Sequence, residues 1–356
     1  MTERKAFKRR VRAQVATTGQ SYAQAAAQLE AGNPARVAET HPASAVVVAL
    51  LRASRLSLDP VTAFGIGGGI GFMYGLFRYA DAPHPLLTLV CQHHPEPWAP
   101  AILDRLGVEY ASSSGRRDVV RLLEDGAAMI LPVARGVVPW LDADDLTKRE
   151  EHIVLALPER ESARVFDGTG KHSRLTKAEI VDAYAHTRRK HPVTTIRQNA
   201  RLPRDLRPAV SAGLRATVSG MTDRVLGNSF DVNFGLSGLR RWSERVTEKG
   251  ADGWRHVFAE DDAWRQRLID CIDREHTAPT AGRPLFARML RMHGLAGAAE
   301  HFDRSAPHWR AIALGATRGD LELESLGHHV DAIATEEADG IAALQDLLQG
   351  AAYGSC

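Results

Sequence analysis

Cysteine is scarce. The 356 residues hold three, Cys91, Cys271 and Cys356, far apart and in no metal-binding or disulfide spacing. So sparse and odd a set fits a reducing compartment better than an oxidising one. Long apolar runs are missing as well: the longest, Ala43 to Leu51, is interrupted by Ser44 and falls far short of the roughly 18 residues of a membrane span. Met1 to Arg12 carries a basic run with no apolar stretch behind it, unlike a secretory signal. A cytoplasmic protein with no membrane partner is the default expectation. An excess of one charge is also lacking. The 45 Lys and Arg nearly balance 43 Asp and Glu, and a net charge of +2 argues against nucleic acid as a partner over the whole chain.

What is present describes a folded protein. Hydrophobic residues at 44% and charged residues at 25% are the balance of a globular chain, and the length suffices for two ordinary domains with their own cores. Three segments are expected. Residues 1–33 read as a basic helical extension, with Lys5, Lys8, Arg9, Arg10 and Arg12 on one helix and a second helix from Ser21 to Leu29. It is either a solvated face or a docking element for an acidic partner. Gly32-Asn33-Pro34 then reads as a linker.

Residues 34–174 mix helices and strands. Pro42 opens a buried helix over the apolar run to Leu51; the valines suit a strand equally, and the proline favours the helix. A glycine-rich turn follows at Phe64 to Phe72. Strands are expected at Leu86–Cys91, Ala128–Val133, His152–Leu157 and Arg164–Asp167, with helices at Trp98–Leu106 and Asp118–Glu124. This grouping predicts an α+β fold rather than a regularly wound parallel sheet. From Thr176 strand signals vanish. Thr176 and Glu179 form a capping box, and helical periodicity then recurs to Gln349, so residues 175–350 are expected to be all-helical with Trp242, Trp254, Trp264 and Trp309 in its core.

Gly67 to Gly71 superficially suggests a dinucleotide fingerprint, but it follows a helix and a turn rather than a buried first strand. A structural or substrate-lining turn is the better reading. Cys91, His93 and His94 make a poor metal set, since adjacent strand residues face opposite sides. No metal and no cofactor is expected.

The strings His41 to Leu50 and Phe64-Gly65-Ile66-Gly67-Gly68-Gly69-Ile70-Gly71-Phe72 resemble the N-terminal domain of the butirosin-biosynthesis H acyltransferase family. Gly235 to Trp242, the Trp264 helix and the Phe302 to Trp309 helix are similar to that family's C-terminal helical partner, so the resemblance spans roughly residues 36–350. It implies a papain-like (cysteine-peptidase-like) domain followed by the helical one. It also implies amide-forming transfer of an acyl group from a carrier-protein thioester to an amine in secondary-metabolite or peptide biosynthesis. An acyl carrier protein or a peptide substrate is the implied partner, and homo-oligomerisation stays open. The family's histidine falls on His152 and its aspartate on Asp167; Gly67, Gly68, Gly69, Phe72 and Tyr74 are the expected substrate-binding positions.

The departure is at the nucleophile. The family's cysteine follows the histidine that opens the first helix, and here Pro42 follows His41. Covalent catalysis does not carry over. Ser44 is either a replacement nucleophile or a hydroxyl bonding helix backbone. His41 either lines the cleft with His152 or caps the helix. Three functions follow: acyl transfer with His152 as general base and Asp167 as its orienting group; a non-catalytic relative that binds a peptide, carrier protein or small amine; and, weaker for want of a nucleophile, hydrolysis.

Overall fold

The computed structural model describes residues 40–79, 84–141, 148–187, 192–259, 262–275 and 277–353, with side chains to residue 349. The expected basic extension over 1–33 lies outside these residues.

The first helix, α1 (Pro42–Ala53), starts where the sequence places it, because proline at the first helical position needs no N–H donor. Val46, Val47, Val48, Leu50 and Leu51 are all buried, so the helix is enclosed on most sides. Each of those leucines contributes about 1.5–3 kcal/mol relative to exposure. A short helix follows, α2 (Pro60–Ile66), whose N-cap Asp59 accepts from the amides of Val61 and Thr62 at 2.9 and 3.0 Å. Gly68 and Gly69, at φ +107° and +57°, then turn the chain into β1 (Ile70–Phe77). β1 pairs antiparallel with β2 (Leu86–Gln92) as a separate two-stranded ribbon.

After α3 (Trp98–Leu106), β3 (Tyr110–Ser113), α4 (Arg116–Glu124), β4 (Met129–Ala134), β5 (Glu151–Pro158), β6 (Ser162–Phe166), β7 (His172–Thr176), α5 (Lys177–Ala185) and β8 (Val193–Ile196) complete the sheet-bearing part. Its six strands run in the order β3-β8-β4-β5-β6-β7, each pair antiparallel. Ile130 and Leu155 on one face join the core that contains α1. On the other face, Met129, Leu131, Val133, Val154 and Ala156 pack with Val119 and Leu123 of α4 and Ile180 and Tyr184 of α5.

The rest is helical: α6 (Arg207–Thr222), α7 (Gly235–Thr247), α8 (Trp254–Val257), α9 (Ala263–Asp273), α10 (Arg283–Met292), α11 (Ala296–Arg318) and α12 (Leu323–Tyr353). The fold is therefore α+β, an antiparallel sheet region with helices followed by an all-helical part. Among the described residues, no helix is long and apolar enough to cross a membrane.

Two expectations need correcting. Strands do not end at Thr176: β8, only four residues, sits inside the sheet between β3 and β4. Val-Thr-Thr-Ile is too short for an alternation to show, and its pairing partners at Tyr110–Ser113 lie some eighty residues away. A boundary at 174/175 accordingly cuts through β7. The cores do not follow the chain halves either, because the β1–β2 ribbon packs into the helices. Phe72 stacks on Trp242 at 5.7 Å, and the Trp254 indole donates to the Tyr74 hydroxyl at 2.9 Å.

Candidate functional site

Register brings the two expected catalytic residues together. Leu155 of β5 pairs with Phe166 of β6, so the residue just past β6, Asp167, comes to lie beside the start of β5, where His152 stands. His152 Nε2 and Asp167 Oδ2 are 3.2 Å apart. The carboxylate is buried, and every one of its contacts is a donor. Oδ2 also accepts from the Trp140 indole at 2.6 Å, while Oδ1 accepts from the amide and the hydroxyl of Thr169 at 2.9 and 2.6 Å. Burial alone would raise its pKa; the bonds from His152, Thr169 and Trp140 outweigh that and hold it at about 2. Asp167 is therefore an anion at neutral pH and accepts the Nε2–H of His152. That fixes the tautomer with the lone pair on Nδ1, which has no hydrogen-bond partner among the described residues. The His152 side chain is 27% exposed, so part of the imidazole meets solvent.

The N-terminus of α1 meets the same end of the sheet. Gly168 lies so close to Pro42 that a Cβ there would fall 2.1 Å from the Pro42 carbonyl oxygen. By strand alternation, however, His152 shares the side of Val154 and Ala156, the face covered by α4 and α5, whereas α1 lies across the other face. The imidazole therefore does not point straight at the helix start.

His41 and Ser44 form a closed pair of their own. His41 is the N-cap of α1: its Nδ1 accepts from the Ser44 amide at 3.2 Å and lies 2.9 Å from the Ser44 hydroxyl, and its Nε2 donates to Gln92 Oε1 at 2.5 Å. The ring is wedged between Phe64 and Trp98, with centroids 5.0 and 4.2 Å away. Both residues are at most 2% exposed, which supports capping over a cleft position. These bonds also engage the helix start. Pro42 has no N–H, the Ser44 amide goes to the His41 ring and the Ala45 amide to the His41 carbonyl, leaving Ala43 for any developing oxyanion.

The glycine-rich residues expected to line a substrate site are interior. A Cβ on Gly67 would strike the Trp98 ring, one on Gly68 the His93 ring and one on Gly69 the Phe286 ring. Phe72 and Tyr74 are each 3% exposed, and burial pushes the Tyr74 hydroxyl up to about 12. All five lie packed among interior side chains. Cys91 and Cys271 are both buried, and burial raises both thiols, which makes them poor nucleophiles.

Sequence reasoning missed two residues of the site. Thr169 was within reach of it, because an Asp whose side chain takes an amide two residues on is a recognisable turn motif, here Asp167-Gly168-Thr169. Trp140 carries no local signal, since it lies 27 residues before the carboxylate it meets. No protein-family model matches the chain, and a search of curated proteins finds no match.

Proposed function

We propose that this chain transfers an acyl group from a thioester to an amine with His152 as general base, without a covalent enzyme intermediate. One observation carries the reading: a buried, ionised Asp167 takes the Nε2–H of a partly exposed imidazole and leaves its Nδ1 as a lone pair. A thioester is already activated, so the protein has to position the amine and remove its proton. The amine nitrogen attacks the thioester carbonyl while His152 Nδ1 takes the amine proton. As the C–S bond breaks, the imidazolium returns that proton to the leaving thiolate. Asp167 stabilises the transient imidazolium without becoming protonated. Positioning supplies several kcal/mol and base catalysis about 10²–10⁴-fold. The resemblance to the butirosin-type acyltransferases supports an acyl carrier protein as donor. A papain-like arrangement needs His152 to face the start of α1; the Asp167 turn reaches that start, but His152 stands on the other side of the sheet, so the proposal rests on the His152–Asp167 pair alone.

The test uses an acyl-pantetheine thioester and a panel of amines. Amide formation by the full chain should fall by about two to four orders of magnitude in His152→Ala, with donor binding barely changed. Intact-mass measurement with donor alone should show no acylated protein. An adduct on Ser44 or Cys91 would replace this mechanism with a covalent one.

A second reading rests on a separate observation. Ser44, Cys91 and His41 are all shut in the interior, so none of the three is an accessible nucleophile. A non-catalytic relative that binds a peptide, a carrier protein or a small amine has this character. Unchanged activity in His152→Ala would favour it.

A further inference from the structure

The last two long helices, α11 and α12, pack antiparallel, and ligand-type side chains recur along one seam between them. His301 Nδ1 lies 3.3 Å from Glu336 Oε2, and two helical turns on, His308 Nδ1 lies 3.1 Å from His329 Nδ1. Asp339 stands one turn beyond Glu336 on the same side of α12. One ligand atom each from His301, Glu336 and Asp339 fall within 4.8 Å of one another. The helices come this close because α12 has Gly340 at the contact, where a Cβ would sit 3.0 Å from the Cβ of His301.

A cation already occupies part of this group. Arg304 donates from Nε to Glu336 Oε2 at 2.9 Å and from Nη2 to His301 Nδ1 at 2.8 Å. A guanidinium offers donors only, so His301 Nδ1 is the acceptor and its lone pair is directed at the Arg304 cation, beside the Glu336 carboxylate. The imidazole is thus held with a free-base nitrogen toward a cation, and an entering metal ion would take the place of Arg304. The Arg304 side chain is 49% exposed, and swinging it into water costs little.

We propose that His301, Glu336 and Asp339 form a binding site for a divalent transition-metal ion that takes mixed imidazole and carboxylate donors, Zn²⁺ or Co²⁺ rather than Mg²⁺. Water completes the coordination. Arg304 is the built-in competitor: it neutralises the group when no ion is bound and withdraws when one enters. The ion clamps α11 to α12 across the seam, far in sequence from the His152–Asp167 pair, and the site does not depend on the function proposed for that pair.

Co²⁺ added to the full chain, freed of any histidine tag, reports on the site through its visible absorption, with calorimetry for affinity. One ion should bind. Arg304→Ala should tighten binding on the order of tenfold, because the competitor is gone. His301→Ala and Asp339→Asn should each weaken it on the order of tenfold or more. Asp339 is exposed, so its conservative replacement leaves the fold intact. His308→Ala should bind as the parent does. Unaltered affinity in Arg304→Ala, binding that persists in Asp339→Asn, or loss in His308→Ala would each overturn the assignment.

Discussion

Arg283 and Glu337 form an ion pair in which neither side chain touches solvent. All five guanidinium protons have acceptors: both oxygens of Glu337 at 2.7 Å, and the carbonyls of Cys91, Ala281 and Gly71 at 2.8, 2.7 and 3.1 Å. Glu337 Oε1 also accepts from the Trp309 indole at 2.8 Å. One side chain thus ties β1 and β2 to α10, and through Glu337 to α11 and α12, across what the sequence suggested were two domains.

Removing one member of this pair leaves a buried charge without its counter-ion. Arg283→Met and Glu337→Gln should each lower stability by about 3–5 kcal/mol, read as a shift in the urea midpoint. The double replacement Arg283→Met with Glu337→Leu should recover only part of the loss. It removes both charges but takes away the partner of the Trp309 indole and the Arg283 donors to three carbonyls. Single variants within about 1 kcal/mol of the parent would show that water enters this core.

Helix ends were the legible part of this fold, because their signals are local. Pro42 marked the start of α1, and both halves of the Thr176–Glu179 capping box are present at α5. The tryptophans assigned to the helical core are buried there. Non-local pairing was not legible. β8 finds its place through partners in β3 and β4, and Arg283 meets Glu337 across 54 residues. In the site, His152 and Asp167 came from a resemblance, and register now accounts for their meeting. Gly67 to Gly69 read as a ligand turn because glycine signals close approach, without saying whether a ligand or a neighbouring ring does the approaching.

The depressed Asp167 carboxyl makes stability depend on acid. Its folded value of about 2 lies below its ordinary 3.8, so the folded state binds the proton less readily than the unfolded chain. The contribution is complete above the ordinary value and disappears as pH falls through about 2. At 1.36 kcal/mol per pH unit it amounts to roughly 2 kcal/mol. Urea unfolding between pH 6 and pH 2 should show Asp167→Asn converging on the parent toward the acid end. Parallel curves over that range would show that the carboxylate's hydrogen bonds confer no net stability.

Trp140 should behave as a positioning residue. Its indole holds Asp167 Oδ2, the oxygen that also faces His152, yet it contacts no reacting atom. Trp140→Phe keeps most of the ring and removes the donor. Loss of a charge-assisted bond should cost about 2 kcal/mol of stability. Turnover in amide formation should fall less than in His152→Ala, with KM nearly constant. A loss as deep as that of His152→Ala would place the indole in contact with substrate.

Gly168 and Gly170 separate backbone strain from the contact that joins the Asp167 turn to α1. Both sit at φ +86°, so alanine at either carries the same conformational penalty, about 1–2 kcal/mol. Their surroundings differ. Nothing lies within 4 Å of a Cβ on Gly170, whereas one on Gly168 would fall 2.1 Å from the Pro42 carbonyl oxygen. Gly170→Ala should therefore cost only the backbone term and leave the site intact. Gly168→Ala has to push the turn away from α1, which adds about 1–3 kcal/mol. It also shifts Asp167, the adjacent residue, so the His152–Asp167 bond should lengthen and activity should drop with stability. Denaturation of both variants, together with amide formation, tests the contrast. Equal losses in the two would mean that the helix start and the turn are not in firm contact, and that Asp167 is held by Thr169 and Trp140 alone.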